Sequence, residues 1–408
     1  MSEEIFYDAI VVGGGPGGST TAAFLGMKGR KVLLLDKEVW PRDKTCGDAI
    51  SGKSISVLKD LGMTDMLEKV DHGEVTGLTF SSPNGKVVSI PFRKGNEGIH
   101  KGYVCRRMVY DNMLWNNAAG KCTAIAGANV TAVVRENGKI VGVKAKMKDG
   151  PEKEFRGKVV VGADSVSSLI AREIRGADVD PDHTCIAYRA YYSGITGMNG
   201  TIEIHFVKSV MPGYFWIFPL ENGLANVGVG MVMSDVKKGN VNLQKVMLDT
   251  IEQNPLFKDR FKDSKMVSPI KAWSLPFGSK KRKIHADNVL LVGDAAGLVD
   301  PFSGEGIGNA MYSGRLAAKI IDEALAANDT SEAFLARYDK QLWDGIWNEL
   351  NVSYTMQKLG RMEWLLNLVV GKAAKSDKAR EAIAGTFSNE EAKQEYASPL
   401  FYLKLLLT

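Results

Sequence analysis

Three glycines close to the N-terminus, Gly13, Gly15 and Gly18, have the G-x-G-x-x-G spacing of a dinucleotide-binding loop. The first glycine permits a tight turn, the second lets a pyrophosphate approach the backbone, and the third lets a helix pack closely on a strand. The next predicted strand ends in Asp36, whose carboxylate can accept hydrogen bonds from the adenosine ribose hydroxyls. The pattern predicts a dinucleotide site, whose residues also include Pro16, Gly17 and Lys37.

A second glycine-rich stretch runs from residue 288 to residue 318. Its predicted strand ends at Asp294, and an acid in this position can bind the hydroxyls of a polyol chain. A glycine-rich loop follows and opens a helix at about Ile307. Backbone N–H groups there can hold an electron-rich ring edge, such as the N1 and O2 side of a flavin. The stretch therefore favours a flavin dinucleotide over a nicotinamide dinucleotide.

These two stretches, and a third whose strand ends in Gly-Ala-Asp at residues 162–164, resemble FAD-binding signatures. They are those of the family that contains aromatic hydroxylases, flavin halogenases and geranylgeranyl reductases. In that family Gly-Ala-Asp is usually followed by glycine, whereas this chain has Ser165, so a direct role for Asp164 and a structural turn both stay open. The resemblance implies one bound FAD, with Asp294 on its ribityl chain and its isoalloxazine beside Gly306, Ile307 and Gly308.

The stretch YVCRRMVYDNML resembles a further signature of this family, an arginine followed four residues later by aspartate. Arg107 and Asp111 match this spacing. The resemblance implies that Arg107 lies near the FAD pyrophosphate, and Arg106 is the alternative.

Three aromatic side chains, Tyr214, Trp216 and Phe218, alternate along a predicted strand between Pro212 and Pro219. Residues two apart on a strand share one face, so the pattern puts a phenol, an indole and a phenyl ring on one surface. Such rings can simply fill the core between a sheet and its helices. Two features favour a pocket wall instead. The prolines indicate an edge or strand-end position, and tyrosine and tryptophan carry polar atoms that need partners in a dry core.

Two motifs resemble those of geranylgeranyl reductases. The first is Tyr-x-Trp-x-Phe-Pro itself, and the second is Pro-Arg-x-Lys-x-Cys-Gly, from Pro41 to Gly47. The resemblance implies that Cys46 lies near the flavin and that Arg42 and Gly47 belong to the cofactor site. The alternative is that Cys46 is a small buried residue. The motifs and the flavin signatures cover most of residues 1–330, and the chain beyond matches nothing specific.

A polyprenyl chain suits such a wall because it is long, apolar and dotted with isolated double bonds. No carbonyl polarises these bonds, so their reduction needs a proton at one carbon and a hydride from reduced flavin N5 at the other. The intermediate has tertiary carbocation character, which aromatic faces stabilise while they exclude water. Whether Tyr214, Cys46 or water relays the proton stays open. The predicted catalytic residues are Cys46, Tyr214 and Trp216, and the predicted substrate wall is Tyr214, Trp216 and Phe218.

Two other classes of function stay open. A flavin monooxygenase or halogenase would act on an aromatic substrate. Lys44 and Lys53 lie in a suitable region for a halogenase lysine, but neither is in a halogenase-type motif, and Tyr-x-Trp-x-Phe differs from the halogenase Trp-x-Trp-x-Ile. The third class is a flavoprotein that binds a prenyl lipid or quinone and only transfers electrons or carries the lipid.

The flavin signatures are separated by other sequence, so the domain that binds the nucleotide must be discontinuous. We predict an α/β fold in which a Rossmann-like FAD-binding domain comprises residues 1–73, 101–182 and 283–330. An antiparallel-sheet substrate domain, as in aromatic hydroxylases, comprises residues 74–100 and 183–282, and a helical region follows at 331–408. The expected site is a pocket at the junction of the two domains.

The 408 residues carry a formal net charge of +5 that is spread along the chain, and no basic cluster indicates nucleic-acid binding. Four cysteines without a CxxC pair favour a reducing, cytoplasmic compartment and no metal site. We expect neither a signal peptide nor a membrane-spanning helix, and peripheral membrane contact through the apolar segment 398–408 stays open. The expected partners are a prenyl lipid or prenyl diphosphate and an electron donor, NADPH or a ferredoxin-like protein.

Overall fold

The computed structural model describes residues 6–92, 94, 95, 98, 99, 101–377, 379 and 380. Its strands are, in chain order, β1 Phe6–Val12, β2 Val32–Asp36, β3 Ala49–Ile50, β4 Gly73–Val75, β5 Gly77–Ser81, β6 Val87–Pro91, β7 Lys94–Gly95, β8 Gly98–Ile99, β9 Gly102–Val104, β10 Thr123–Ala126, β11 Ala128–Glu136, β12 Lys139–Met147, β13 Glu152–Gly162, β14 Thr184–Ser193, β15 Thr201–His205, β16 Tyr214–Pro219, β17 Leu224–Val232, β18 Lys265–Met266, β19 Lys271–Pro276, β20 His285–Ala286 and β21 Val289–Leu291. Its α-helices are α1 Pro16–Met27, α2 Gly52–Asp60, α3 Thr64–Glu68, α4 Arg107–Ala119, α5 Leu169–Arg175, α6 Met233–Lys238, α7 Leu243–Gln253, α8 Lys258–Phe261, α9 Ile307–Ala327, α10 Glu332–Leu359 and α11 Glu363–Ala373.

The first sheet has a parallel centre. β2 reads VLLLD and is buried along its whole length, as a parallel strand covered on both faces must be. The strand order is β10-β2-β1-β13-β12-β11, with β21 beside β13 and β20 on β21. β10, β2, β1, β13 and β21 run parallel, and β12 and β11 extend the sheet as antiparallel strands. The predicted Rossmann-like fold is confirmed.

This arrangement brings the three predicted flavin signatures together. Parallel neighbours end at the same edge of a sheet, and Val12 at the end of β1 pairs with Gly162 at the end of β13. Gly162 in turn pairs with Leu291 at the end of β21. The loops that follow these three strands therefore start side by side, which is the edge where open α/β sheets bind ligands.

The second sheet has the order β18-β14-β17-β16-β15-β5-β6, and β19 also pairs with β14. Its pairs are antiparallel except for β15 with β5, so the predicted, largely antiparallel sheet is confirmed. β16 lies inside this order, so the prolines around it do not mark an edge strand. Pro219 is its last residue and Pro212 precedes its first residue, Tyr214, by two positions, which is the strand-end alternative.

The two faces of the second sheet differ in what covers them. Phe215 and Ile217 of β16 point into a core that includes Met247 of α7 and Phe257. The alternate residues of β16 lie on the other face, where Trp216 pairs with Gly228, Tyr214 with Gly230 and Phe218 with Asn226 of β17. This second face is the one that meets the edge of the first sheet.

Long helices close the molecule behind the first sheet. α9 packs on α1 and α2, and α10 packs on α9. The hydroxyl of Tyr338 in α10 donates to the carbonyl of Leu291 at 2.8 Å, which ties this helix to the end of β21. The helical pattern predicted from residue 331 is present through α11, and the apolar segment 398–408 lies outside the described residues. In the described part of the chain, no helix combines the length and apolarity needed to cross a membrane.

The strands of the two large sheets fall in different predicted ranges. The strands of the first sheet lie within 1–73, 101–182 and 283–330, and those of the second within 74–100 and 183–282. The domain boundaries themselves stay a prediction.

Candidate active site

A cavity of about 1420 Å³ lies between the edge of the first sheet and the open face of the second. It exceeds the roughly 300–1,000 Å³ of an ordinary small-molecule site, so a dinucleotide leaves room for a second ligand. Gly18 and Gly308 lie off its lining. The predicted site residues that line it are Gly13, Gly15, Pro16, Gly17, Asp36, Lys37, Arg42, Cys46, Gly47, Arg107, Tyr214, Trp216, Phe218, Asp294, Gly306 and Ile307.

The glycine-rich loop has the geometry that its spacing predicts. Gly13 has φ +104°, in the region that favours glycine, and a Cβ there would lie 2.3 Å from the carbonyl oxygen of Ala163. A Cβ on Gly18 would lie 1.8 Å from the carbonyl oxygen of Gly13, so strand and helix pack as closely as predicted. A Cβ on Gly15 would meet, within 4 Å, the guanidinium of Arg42 alone, at 3.7 Å. The backbone at Gly15 therefore faces open space in which a pyrophosphate fits.

Asp36 does more than the sequence predicts. Its carboxylate accepts hydrogen bonds from the backbone N–H of Gly14 at 2.6 Å and of Glu38 at 2.8 Å. Burial raises its pKa, and these two bonds offset only part of that effect. The side chain therefore braces the glycine loop as well as facing the cavity where a ribose would lie.

Two arginines share one buried carboxylate beside the loop. Asp111 accepts from Arg42 at 2.6 Å and, through both oxygens, from Arg107 at 2.5 and 2.6 Å. Burial alone would raise the pKa of Asp111, but the two cations outweigh it and hold the pKa below its ordinary value. Arg107 lines the cavity, whereas the alternative, Arg106, pairs with Glu221 at 2.5 Å. Arg42, already a predicted cofactor residue, is the cation next to Gly15.

Asp294 lies at the centre of the predicted ribityl region. It pairs with the ammonium of Lys44 at 3.0 Å and accepts a hydrogen bond from the Ser165 hydroxyl at 3.3 Å. The neighbouring Asp164 accepts from the backbone N–H of Leu169 at 2.7 Å and also binds the Ser168 hydroxyl. These bonds tie Asp164 to the start of α5, which supports the structural-turn alternative. Ser165, in contrast, bonds Asp294, the residue predicted to bind the ribityl chain.

The loop before α9 has an acid that the sequence reasoning missed. The backbone N–H of Gly308 donates to the carboxylate of Glu305 at 2.5 Å, and a Cβ on Gly308 would lie 2.4 Å from the Ser51 hydroxyl. Gly308 is therefore a close-packing position. Gly306 and Ile307 do line the cavity, so they are the members of this group that can face a flavin ring.

The three rings of β16 form one continuous surface. The centroids of Tyr214 and Trp216 lie 6.0 Å apart, and those of Trp216 and Phe218 lie 6.1 Å apart. The indole lies across β17, where a Cβ on Gly228 would be 2.3 Å from it. The hydroxyl of Tyr214 donates to the carbonyl of Ser303 at 2.8 Å, and burial raises the pKa of this tyrosine. We call Tyr214, Trp216 and Phe218 the aromatic wall.

The cysteine loop packs directly against this wall. A Cβ on Gly47 would lie 3.0 Å from the Phe218 ring and 4.0 Å from the indole nitrogen of Trp216. Cys46 itself is half-buried, lines the cavity, and interacts with the Arg107 guanidinium. The fold thus brings together two motifs that are far apart in sequence.

A polar network behind the loop escaped the sequence analysis. Asp48 is fully buried and accepts hydrogen bonds from Tyr191 at 2.8 Å and from Asn226 at 2.7 Å. Burial, partly offset by the Arg189 cation and these bonds, raises the pKa of Asp48 from 3.8 to about 6. The only available signal for Asp48 was its position after Cys-Gly, and Asn226 gave none because it lies in an apolar strand.

The raised pKa of Asp48 has a direct consequence for stability. The folded protein holds this proton more tightly than the unfolded chain, so the contribution of Asp48 falls as the pH rises from about 4 to about 6. Each pKa unit corresponds to about 1.4 kcal/mol, so the ionised carboxylate costs the folded protein about 3 kcal/mol at neutral pH. Groups kept at such a cost cluster at functional sites.

Comparison with known proteins agrees with a flavin site in this cavity. A family profile described as "FAD binding domain" matches residues 7–347. Digeranylgeranylglycerophospholipid reductase 1 of Methanococcoides burtonii is 31% identical over 84% of this chain and 81% of its own. Menaquinone reductase of Mycobacterium tuberculosis is 31% identical over 79% of this chain and 78% of its own. A geranylgeranyl bacteriochlorophyll reductase-like structure from Thermoplasma acidophilum superposes with a TM-score of 0.81 at 25% identity, covering 96% of this chain and 98% of that one.

We expect Asp36→Ala and Asp294→Ala each to weaken FAD retention about tenfold or more, because each removes a charged hydrogen-bond acceptor worth roughly 1.5–3 kcal/mol. The measurement is flavin absorbance per folded protein after serial dilution, followed by titration of the stripped protein with FAD. Asp182→Ala, at an acid that does not line the cavity, is the control. Full flavin retention in both site variants would contradict the assignment.

Proposed function

The chain belongs to the FAD binding domain family, and we propose that it is an FAD-dependent oxidoreductase that reduces isolated double bonds of a polyprenyl chain. The observation that carries this proposal is the contact of the Cys46–Gly47 loop with the aromatic wall inside the dinucleotide cavity. The residues present fit FAD because Gly15 leaves its backbone open and Arg42, Asp36 and Asp294 surround that space.

The second part of the cavity suits an apolar chain. Beyond the aromatic wall its lining is largely hydrocarbon and aromatic, formed by strands β5 and β15 and by the loops beside them. The residues are Leu78, Phe92, Ile202, Ile204, Phe206 and Phe302. A prenyl chain that lies along this surface passes the rings of Tyr214 and Trp216 on its way to the cysteine loop.

The wall supports the difficult step of alkene reduction. Reduced FAD supplies a hydride when bound. The faces of Trp216, Tyr214 and Phe218 stabilise the positive charge that develops on the alkene carbon, and they keep water away from it. Stabilisation of ~2 kcal/mol from such faces corresponds to roughly thirtyfold in rate.

For the proton we propose Cys46. Its thiol lines the cavity, and the negative charge that it acquires on giving up a proton lies beside the Arg107 guanidinium. The Tyr214 hydroxyl already donates to the Ser303 carbonyl, and burial raises its pKa, which makes it a poor proton donor. We therefore assign Tyr214 to the wall, where its bond to Ser303 holds the ring.

Relatives differ in the prenyl compound that their names give, one a digeranylgeranylglycerophospholipid and another menaquinone. We propose a prenylated glycerophospholipid as the substrate, with a prenyl diphosphate or a quinone tail as the alternatives that the test must distinguish. NADPH or a ferredoxin-like protein serves as the electron donor in this proposal. The protein works in the cytoplasm and touches the membrane that holds the lipid.

The cavity reaches the part of the surface that we propose for membrane contact. Met356, Gln357 and Gly360, at the end of α10, line it. Trp364 follows at the start of α11 and is 61% exposed. Tryptophan is enriched where proteins meet the membrane interface, so a lipid leaving the bilayer at Trp364 would enter close to the apolar lining.

We expect Trp364→Gln to reduce the fraction of protein that floats with liposomes several-fold, because it removes an interfacial anchor. The measurement compares both proteins at equal FAD content. Trp273→Gln, inside the cavity, is the control. Equal flotation of wild type and Trp364→Gln would remove α11 from the membrane proposal.

The reaction is tested with dithionite-reduced protein and digeranylgeranylglycerophospholipid under exclusion of air. We expect mass spectrometry to show the gain of two hydrogens for each reduced double bond, with stoichiometric flavin reoxidation. The same assay with a geranylgeranyl diphosphate and with menaquinone identifies the preferred substrate. Flavin reoxidation without any saturated product would indicate a protein that only transfers electrons, and hydroxylation or halogenation of an aromatic compound in air would indicate the monooxygenase or halogenase alternative.

We expect Trp216→Phe to leave more partly saturated products at matched FAD content, because a smaller ring changes how far a long chain slides along the wall. Trp343→Phe is the matched control, a buried tryptophan that bonds Asp339 and lies off the cavity. It should lower the melting temperature without altering products.

Cys46→Ser should slow alkene reduction more than it slows reduction of the flavin by the electron donor. Lower melting temperatures with unchanged products in both site variants would make the rings simple core residues.

A further inference from the structure

Asp48 joins three separate elements behind the cysteine loop. Its φ of 67° lies in the left-handed region, and its side chain is fully buried. One carboxylate oxygen accepts the backbone N–H of Arg107 at the start of α4, at 3.3 Å. The other accepts the Tyr191 hydroxyl of β14 at 2.8 Å and the Asn226 amide of β17 at 2.7 Å. All three groups that bond the side chain are donors, so the ionised carboxylate accepts from each of them although burial disfavours its charge.

Asn226 connects Asp48 to both the aromatic wall and the cysteine loop. Its amide oxygen accepts the indole N–H of Trp216 at 2.9 Å, and its amide nitrogen donates to the carbonyl of Cys46 at 2.6 Å. The amide can therefore face only one way, since a flipped amide would set its N–H groups against the indole N–H and its oxygen against the Cys46 carbonyl and Asp48. The second N–H bond, to Asp48, holds this orientation.

We propose that Asp48 is a positioning residue that, through Asn226, holds the Trp216 indole and the Cys46 backbone at one spacing where both line the substrate cavity. This role rests on the proposed prenyl reduction, because the spacing decides where an alkene carbon lies between the wall and the thiol. Asp48 acts through Asn226 and needs no contact with the substrate.

Protonation of Asp48 weakens its hydrogen bond to Asn226, and the charged groups around Asp48 determine when this protonation occurs. Arg189 of β14 and Arg107 of α4 are the cations that lower its pKa, against the larger effect of burial. Tyr191 and Cys105, which face it from β14 and from the segment before α4, have raised pKa values and stay neutral. The carboxylates further out, Asp43, Asp111 and Glu221, are each paired with an arginine.

The first experiment uses NMR to follow the indole ¹H–¹⁵N resonance of Trp216 in the full-length, FAD-loaded protein. The protein has seven tryptophans, and the resonance of Trp216 is identified as the one that Trp216→Phe removes. We expect this resonance to shift with a midpoint near pH 6 in the wild type. In Asp48→Asn it should be displaced and constant between pH 5 and 8. Tyr191→Phe removes a bond that lowers the pKa of Asp48, so the midpoint should move to higher pH.

The second experiment uses dithionite-reduced Asp48→Asn and digeranylgeranylglycerophospholipid. We expect about tenfold slower flavin reoxidation and a larger share of partly saturated products at equal FAD content. Thr79→Val, which removes a buried hydroxyl bonded to Thr201 and off the cavity lining, should lower the melting temperature and leave products unchanged.

Each outcome decides the matter. A wild-type Trp216 resonance that shows no titration of Asp48, or an Asp48→Asn protein with wild-type resonance and products, overturns the positioning role. If Asp48→Asn does not fold, the wild-type and Tyr191→Phe titrations still decide. A wild type that shows the titration but forms no saturated lipid refutes the proposed function and leaves the hydrogen-bond role of Asp48 standing.

Discussion

The buried amide of Asn226 bonds the aromatic wall to the cysteine loop that packs against it. It accepts from the indole of Trp216 and donates to the carbonyl of Cys46 and to Asp48. Buried polar groups are expensive unless every one is satisfied. Because all of these hydrogen bonds must form at once, the cysteine loop and the aromatic wall have one relative position. The packing of the rings depends on that position.

The cofactor end of the cavity is organised by a different buried group. Asp111 bonds both Arg42 and Arg107, and a buried carboxylate between two cations is tolerated because all three charges are hydrogen-bonded. The arrangement leaves Arg42 beside Gly15 of the glycine-rich loop and Arg107 beside the Cys46 thiol. One carboxylate thus links the cofactor site to the proposed proton donor.

Small residues opposite large rings complete the site. Gly228 leaves the space that the Trp216 indole fills, and Gly47 lets the Phe218 ring approach the cysteine loop. The FAD site, the Rossmann-like sheet and the aromatic wall could all be predicted, because each is a local pattern whose spacing determines which side chains share a turn or a face. Of the two positions predicted for the prolines of β16, edge strand or strand end, the structure shows the strand end, because Pro212 and Pro219 constrain the ends of the strand and not its neighbours.

The sequence by itself determined the dinucleotide loop, the parallel and antiparallel sheets, and the alternation that puts three rings on one surface, since all of these follow from spacing within a few residues. Tertiary structure alone decided that the cysteine loop meets those rings, that Asp36 also braces Gly14, and that Asp48 and Asn226 lie between them. A lone aspartate and an asparagine in an apolar strand have no periodicity. Asn226 lies 178 residues from Asp48 and 180 from Cys46, and only the folded chain brings these groups within hydrogen-bonding distance.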